Sequence, residues 1–281
     1  MRIKSCLYFL GIGCFPMSFL ALLNIFYSLH FDNFSNINSY TATLFLSLIT
    51  GFIFFKIGKN FKDDITAYEQ IFLVLLVYFL ISFFYSIPFY FGDYNLSFID
   101  SYFESISGLS GTGFSVFENI SNLDPPLILW RSSSQWIGGF YFLIFIILIF
   151  SNKLIGFKFV DFSFNLEKKL NFSSNWLSVS IRTFFIYFFL TILIFSLFSI
   201  SGIRFFNSFN LAMTVISSGG FLPTNSLDRI ITTNLQSIFL SLSFLVSLLN
   251  FYLIYNIFFN RKDLKNHKED SYLVILIIIF S

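Results

Sequence analysis

The stretch FIDSYFESISGLSGTGFS, residues 98–115, aligns without gaps on FFNSFNLAMTVISSGGFL, residues 205–222. Each copy is a short, partly apolar segment, at 98–109 and 205–216, followed at once by a stretch rich in Gly and Ser. Two ungapped copies at one constant offset predict that a single structural unit occurs twice in the chain. The identical pairs are Phe98/Phe205, Ser101/Ser208, Ser110/Ser217, Gly113/Gly220 and Phe114/Phe221.

The composition around the repeat predicts an all-α integral membrane protein. Hydrophobic residues make up 56% of the 281 and charged residues 11%, whereas a soluble domain carries about 25% charged residues. A helix that crosses a bilayer needs about 20 predominantly apolar residues. The short segments of the repeat suit half-helices that enter and leave the membrane on one face. Runs long enough to span lie at about 6–29, 40–57, 68–91, 126–150, 178–201 and 235–259.

The distribution of basic residues predicts the orientation. Fourteen of the 17 Lys and Arg residues fall at the N-terminus or in the segments 56–67, 151–182 and 260–270. Cytoplasmic loops carry an excess of Lys and Arg, so these segments, and the N-terminus with them, are predicted to be cytoplasmic. The same rule requires both short segments to open to the outer face.

A short helix followed by a Gly-rich loop, used twice, is typical of a cation pore. Backbone carbonyls can replace the hydration shell of an ion where an irregular loop lines a water-filled passage. Glycine permits the backbone geometry that such a loop requires, and the C-terminal end of the preceding helix carries partial negative charge. Ordinary Gly/Ser turns between helices are the alternative interpretation. Two loops would cover about half of a ring of ligands.

Several motifs in and around the repeat resemble the TrkH/KtrB-type family of K⁺ transporters. FESISGLSGTGFS at 103–115, LWR at 129–131 and QWIGG at 135–139 are similar to the first pore unit of that family. SSGGF at 217–221 is similar to its second selectivity filter, and IPF at 87–89 to the end of the preceding helix. The resemblance covers nearly the whole chain.

The resemblance implies K⁺ uptake across the bacterial inner membrane through a pore of four similar units. It implies a homodimer, a cytosolic nucleotide-binding regulatory subunit of the TrkA/KtrA type, and no organic cofactor. Gly113 and Gly220 match the filter glycines, which favours K⁺ over Na⁺. Gly111 and Phe114 depart from the family pattern, so a Na⁺ transporter stays open as an alternative. The implied K⁺ ligands are Gly111, Thr112, Gly113, Ser218, Gly219 and Gly220.

The pattern also predicts the domain organisation. Two leading helices occupy 1–65, a first pore unit 66–160 and a second pore unit 170–262. The last apolar run, 271–281, would rise only about 16 Å as a helix, roughly half of a hydrocarbon core. We therefore expect a truncated start of a third unit, with the third and fourth units as missing partners, surrounding lipid, and no nucleic-acid partner.

Charged residues near the two loops have two interpretations each. Glu104 either tunes the field on the ion or binds a backbone amide behind the filter. Arg131 either holds the pore loop by hydrogen bonds or extends to the interface. Asp93, Glu118 and Asp124 either attract cations or merely meet water. The remaining residues predicted to support the filter are Ser110, Ser217, Phe114 and Phe221.

Two other function classes are disfavoured. A proton-coupled carrier is expected to place ionisable residues within its spans, and the long apolar runs hold few of them. An enzyme needs a cluster of catalytic or metal-binding side chains, and the sequence has two His residues and no such cluster. We therefore predict that the chain is not an enzyme.

Overall fold

The structure, a computed structural model, describes residues 3–61, 66–150, 172–248 and Ile254. Within these residues the regular secondary structure is helical, and the α-helices follow the predicted order. They are α1 (Ile3–His30), α2 (Ile37–Gly58), α3 (Ala67–Phe91), α4 (Phe98–Leu109), α5 (Pro125–Phe150), α6 (Phe172–Ile200), α7 (Phe205–Ile216) and α8 (Asn234–Leu248).

The long helices agree with the predicted spans. In the described residues, four helical stretches are long and apolar enough to cross a membrane, in α1, α2, α3 and α6. Helix α5 has the predicted extent, but its first turns carry the polar run 131–135 and it falls outside that set. Helix α8 covers the first part of the predicted span 235–259, and the rest, apart from Ile254, lies outside the described residues.

The outer surface of the helices is apolar, as expected for an integral membrane protein. Phe19, Phe52 and Phe185 are each about 60% exposed, and many other large apolar side chains face outward with them. Contiguous exposed apolar surface on this scale would be unstable in water. In a bilayer it is the surface that contacts lipid.

Helix α5 lies between the two short helices and holds both halves of the fold together. It packs against α4 on one side and α7 on the other. The Trp130 Nε1 donates to the carbonyl of Tyr85 in α3 at 3.1 Å. The Trp136 Nε1 donates to the Thr191 Oγ1 in α6 at 3.0 Å. These two indoles fix α5 against both neighbouring long helices, since a buried Trp needs an acceptor for its N–H.

The short helices α4 and α7 have the predicted bounds, 98–109 and 205–216. Each begins after a long helix and packs against it, α4 on α3 and α7 on α6. The predicted start of a third unit, 271–281, lies outside the described residues, as do 151–171 between the two predicted units. The proposed division into units stays a prediction.

Candidate functional site

Helix α4 ends in a Schellman motif, in which a residue in the left-handed conformation closes the last turn. That residue is Gly111, with φ of +73°. Its N–H donates to the carbonyl of Gly108 at 3.0 Å, and the N–H of Thr112 donates to the carbonyl of Ser107 at 3.0 Å. These bonds satisfy carbonyls of the last helical turn and turn the chain sharply into the loop.

Helix α7 ends in the same motif at the equivalent positions. Ser218 takes the left-handed conformation, with φ of +53°. Its N–H donates to the carbonyl of Val215 at 3.0 Å, and the N–H of Gly219 donates to the carbonyl of Thr214 at 2.8 Å. Each donor and acceptor residue of this motif is aligned with the corresponding donor or acceptor residue in the first copy. The two loops therefore leave their helices with the same backbone geometry.

The two loops meet at Gly113 and Gly220. Gly113 has φ of +78°, and a Cβ built on it would lie 2.6 Å from the Gly220 Cα. Only glycine fits at a backbone approach this close. The contact brings the predicted ligand residues of both copies to one place.

The carbonyl groups of these loops are candidate ligands. Among the residues that the structure describes, none donates a hydrogen bond to the carbonyl oxygens of 111–113 or 218–220. Serine hydroxyls in this region bond elsewhere: the Ser110 Oγ lies 2.7 Å from the Thr112 Oγ1, and the Ser217 Oγ donates to the carbonyl of Met213 at 2.9 Å. Unpaired carbonyls on an irregular loop can serve as ligands for a cation.

Helix α5 approaches both loops through a pair of glycines. A Cβ on Gly138 would overlap the carbonyl oxygen of Leu109, at the end of α4. A Cβ on Gly139 would lie 2.8 Å from the Ser217 Cβ. This pair of glycines therefore permits close packing of α5 against the ends of both short helices.

Behind the loops, Glu104 and Arg131 form a buried ion pair, with 0% and 1% of each residue exposed. The Arg131 Nε lies 2.8 Å from the Glu104 Oε1. Glu104 accepts from the Ser115 Oγ at 3.0 Å and from the Val116 N–H at 2.9 Å. The contact with the Val116 amide corresponds to one of the two roles that the sequence left open for Glu104.

Arg131 extends from the first loop to the second. Its Nη2 donates to the Ser115 Oγ at 3.0 Å, and its Nη1 donates to the carbonyl of Leu222 at 3.4 Å. Its guanidinium also lies 4.2 Å from the centroid of the Phe221 ring. Arg131 thus forms hydrogen bonds with residues of both copies, which corresponds to one of the two roles that the sequence left open for it.

Comparisons with known proteins agree with this architecture. No family model matches the sequence. An uncharacterised cation transporter of Methanocaldococcus jannaschii is 25% identical over 79% of this chain and 46% of its own length. The Trk system potassium uptake protein TrkH of Salmonella typhimurium is 29% identical over 36% of this chain and 21% of its own. The crystal structure of the potassium transporter TrkH from Vibrio parahaemolyticus superimposes with a TM-score of 0.79, at 20% identity, over 97% of this chain and 55% of that one.

The chain is similar to proteins of the TrkH/KtrB type, and these likenesses support that family. It spans about half the length of the relatives that it matches. The structural likeness covers the described helices, from the leading pair through both short helices.

One pair of identical residues in the repeat differs in its environment. Phe114 is 70% exposed, whereas Phe221 is 2% exposed beneath the Arg131 guanidinium. The repeat predicts equivalent supporting roles, but Arg131 has no basic counterpart in the second copy, where the same offset leads to Ile238. The two aromatic positions therefore cannot pack in the same way.

The structure adds a supporting residue to which the sequence assigned no role. Gln135 is fully buried in α5, and its Oε1 accepts from the Phe221 N–H at 3.1 Å. Its side chain also occupies the space that a Cβ on Gly219 would need. The signal in the sequence was a polar amide inside a predicted span, within the QWIGG motif at 135–139.

Proposed function

We propose that this chain is part of the membrane subunit of a K⁺ uptake protein, and that its two loops form part of the selectivity filter. The ligands would be the carbonyl oxygens of Gly111, Thr112 and Gly113 in the first loop, with the matching three residues, 218–220, in the second. The observation that carries the proposal is the pair of identical helix ends whose loops meet at Gly113 and Gly220.

The chemistry of these loops suits a monovalent cation. Their unpaired carbonyl oxygens are neutral ligands, which can replace hydration without holding the ion too tightly to leave. Each loop follows the C-terminal end of a helix, where the macrodipole contributes about half a negative charge. The Glu104–Arg131 pair lies behind the loops with its charges matched, so it positions the backbone rather than binding the ion.

The names of the relatives support K⁺ as the transported ion, since the TrkH and TrkG proteins that match are named potassium uptake proteins. A closed ring of ligands requires two further loops of the same kind. We propose that third and fourth units supply them, that the assembly is a homodimer with a cytosolic nucleotide-binding regulatory subunit, and that it lies in a bacterial inner membrane with the N-terminus cytoplasmic.

The test is uptake in cells that lack their own K⁺ transport. The complete reading frame that carries this chain is expressed, and growth on low K⁺ is measured together with uptake of radioactive Rb⁺ and Na⁺. The proposal expects rescue and preferential Rb⁺ uptake, both lost in Gly113→Ala. Gly202→Ala is the matched control, because Gly202 also has positive φ, +87°, but a Cβ there meets nothing within 4 Å.

Three outcomes contradict the proposal in different ways. Uptake of Na⁺ in preference to Rb⁺ would favour the Na⁺ transporter. Rescue that survives Gly113→Ala would place the ion path away from these loops. Equal loss in both glycine variants would indicate that backbone strain alone, rather than the contact between the loops, abolishes transport.

A further inference from the structure

A second group of oxygen atoms lies away from the two loops, where α1, α2 and the start of α5 meet. Asn24 comes from α1, Asn36 and Tyr40 from the start of α2, Tyr94 from the turn after α3, and Asp124 from the residue before α5. Asn24, Asn36 and Tyr40 are buried, at 2%, 2% and 0% exposed. Asp124 is half-buried, so it does not merely meet water.

Hydrogen bonds join this group around the Asp124 carboxylate. Its Oδ1 accepts from the Tyr94 hydroxyl and from the Asn36 Nδ2, the latter at 3.2 Å. The Asn24 Nδ2 donates to the carbonyl of Pro126 at 3.1 Å. The Asn24 side chain interacts with the Tyr40 hydroxyl without reaching standard hydrogen-bond geometry, and Asp124 and Tyr94 lie within electrostatic range of that hydroxyl. Five side chains from four parts of the chain therefore converge.

These hydrogen bonds determine which atom of each Asn side-chain amide, the nitrogen or the oxygen, has no partner. Carbonyl and carboxylate oxygens accept hydrogen bonds only, so the amide nitrogens of Asn24 and Asn36 must face Pro126 and Asp124. Their oxygens are then directed elsewhere. Within the described ranges, the buried oxygens without a hydrogen-bond partner include Asn24 Oδ1, Asn36 Oδ1, Tyr40 OH and Asp124 Oδ2.

Four buried oxygens without partners in one cluster are unusual, because nearly all buried polar atoms in proteins are paired. Each unpaired oxygen carries a desolvation penalty. Hard cations are bound by such oxygen ligands, from carboxylates, amides and hydroxyls. The net charge of the ligand set is −1, contributed by Asp124 alone. A monovalent ion balances it, whereas a divalent ion would leave a buried excess of positive charge.

We propose that Asn24, Asn36, Tyr40 and Asp124 form a binding site for a monovalent alkali cation, separate from the two loops. The ion would be held by the Asp124 carboxylate and by the neutral oxygens of the other three. Burial raises the pKa of the Asp124 carboxyl, while interactions with Tyr94, with the backbone N–H groups of Asp124 and Leu127, and with Asn36 lower it. A bound cation favours the same ionised form as those interactions.

The position of the site suggests its effect. Asn24 and Tyr40 belong to the α1–α2 pair, while Asp124 precedes α5, which packs against both short helices. The Tyr40 ring also packs against Trp130 of α5, with the centroids 5.5 Å apart. A cation here would tie the leading helix pair to the helix that supports both loops, and binding would stabilise the fold.

The test measures thermal unfolding of the purified protein in detergent, followed by tryptophan fluorescence. NaCl, KCl and choline chloride are compared at equal ionic strength. We expect Na⁺ or K⁺ to raise the melting temperature by about 5 °C over choline. Asp124→Asn keeps the shape and an oxygen but removes the charge, and should abolish most of that rise. Tyr40→Phe should reduce it.

Two control variants make the result specific. Asp93→Asn removes an exposed acid one residue before Tyr94 and should leave the cation-dependent rise unchanged. Gly113→Ala alters the loops but not this cluster, and should also retain it. If the rise persists in Asp124→Asn but disappears in Gly113→Ala, the stabilising ion binds at the loops and the proposal is wrong. No difference between choline and the alkali cations in the wild type would also overturn it.

Discussion

A Cβ built on Gly113 would lie 2.6 Å from the Cα and 2.7 Å from the nitrogen of Gly220, its aligned counterpart in the second copy of the repeat. The two loops thus meet backbone to backbone. The two glycines differ in how much space a side chain would have, because a Cβ on Gly220 would lie 3.3 Å from the Gly113 Cα. They also differ in backbone conformation, since Gly113 has a positive φ and Gly220 does not. The two glycines should therefore respond differently to the same substitution.

Gly113→Ala is expected to destabilise the protein by about 3 kcal/mol, since it combines left-handed strain with overpacking against a backbone that cannot rotate away. Gly220→Ala should destabilise it less, because its added methyl group needs only a shift of a few tenths of an ångström. Melting temperatures in detergent would check this order.

Substitutions at two further glycines separate the effect of backbone strain from the effect of steric overlap in that comparison. Gly202→Ala introduces strain without a contact, and about 1 kcal/mol of destabilisation is expected. Gly13→Ala, inside α1, adds a methyl group whose nearest neighbours are 3.9 Å away, and should be neutral or slightly stabilising. If Gly113→Ala proved no worse than Gly202→Ala, the close contact between the loops would not exist in solution.

Ser218→Gly is expected to stabilise the fold by about 0.5–1 kcal/mol, because a serine is strained in the left-handed conformation and a glycine is not. This gain exceeds the cost of the larger conformational entropy that glycine gives to the unfolded chain. Ser218 holds the left-handed position that glycine occupies in the first copy, at Gly111. The same change one residue earlier should have the opposite sign, because Ser217 has φ of −85° and its hydroxyl is hydrogen-bonded. Chemical or thermal unfolding of both variants tests the contrast, and equal effects would contradict it.

The helices were predictable from the sequence because long apolar runs and short repeated segments are local features. The bounds of α4 and α7 agree with the predicted segments, and the other helices agree closely where they are described. The left-handed Gly111 was also predictable from its residue type. The matching conformation of Ser218 was not, since it follows from the equivalence of the two helix ends rather than from a preference of serine.

The network behind the loops depends on contacts that a repeat cannot reveal. Arg131 belongs to the first unit by sequence, yet it reaches Leu222 and Phe221 in the second. Glu104 has a counterpart in the alignment, Leu211, that cannot form an ion pair. One buried pair therefore serves both loops. The sequence indicated the two charges and their alternative roles, but only the packing of the helices could show that both loops contact the same ion pair.

The two charges of this buried pair are expected to be energetically coupled. Arg131→Met leaves the Glu104 carboxylate buried without its counter-charge, and Glu104→Gln leaves the guanidinium in the same state. Each should destabilise the protein by about 3–5 kcal/mol. The double variant should be less harmful than the sum of the single ones, with a coupling energy of about 2 kcal/mol. A double-mutant cycle on unfolding free energies measures it.

Arg229→Met provides the control for that cycle. Arg229 is exposed and donates to the Ser121 Oγ at 3.3 Å, so its loss should change stability by less than about 0.5 kcal/mol. Strictly additive effects of Glu104→Gln and Arg131→Met would show that the two charges do not interact energetically, whatever their distance.

Gln135→Leu is expected to impair ion selectivity more than stability alone would explain. The change leaves the buried N–H of Phe221 without an acceptor, which costs about 1–3 kcal/mol and releases the end of the second loop. Gln236→Leu is the matched control: the Gln236 Oε1 accepts from the Thr232 N–H at 2.8 Å at the start of α8, away from the loops. Both variants should lose stability, but only Gln135→Leu should lower the ratio of Rb⁺ to Na⁺ uptake.

Gln135→Glu, which retains an acceptor for Phe221, should keep more of that ratio than Gln135→Leu. If all three variants kept the wild-type ratio, the conformation of the second loop would not determine which ion passes.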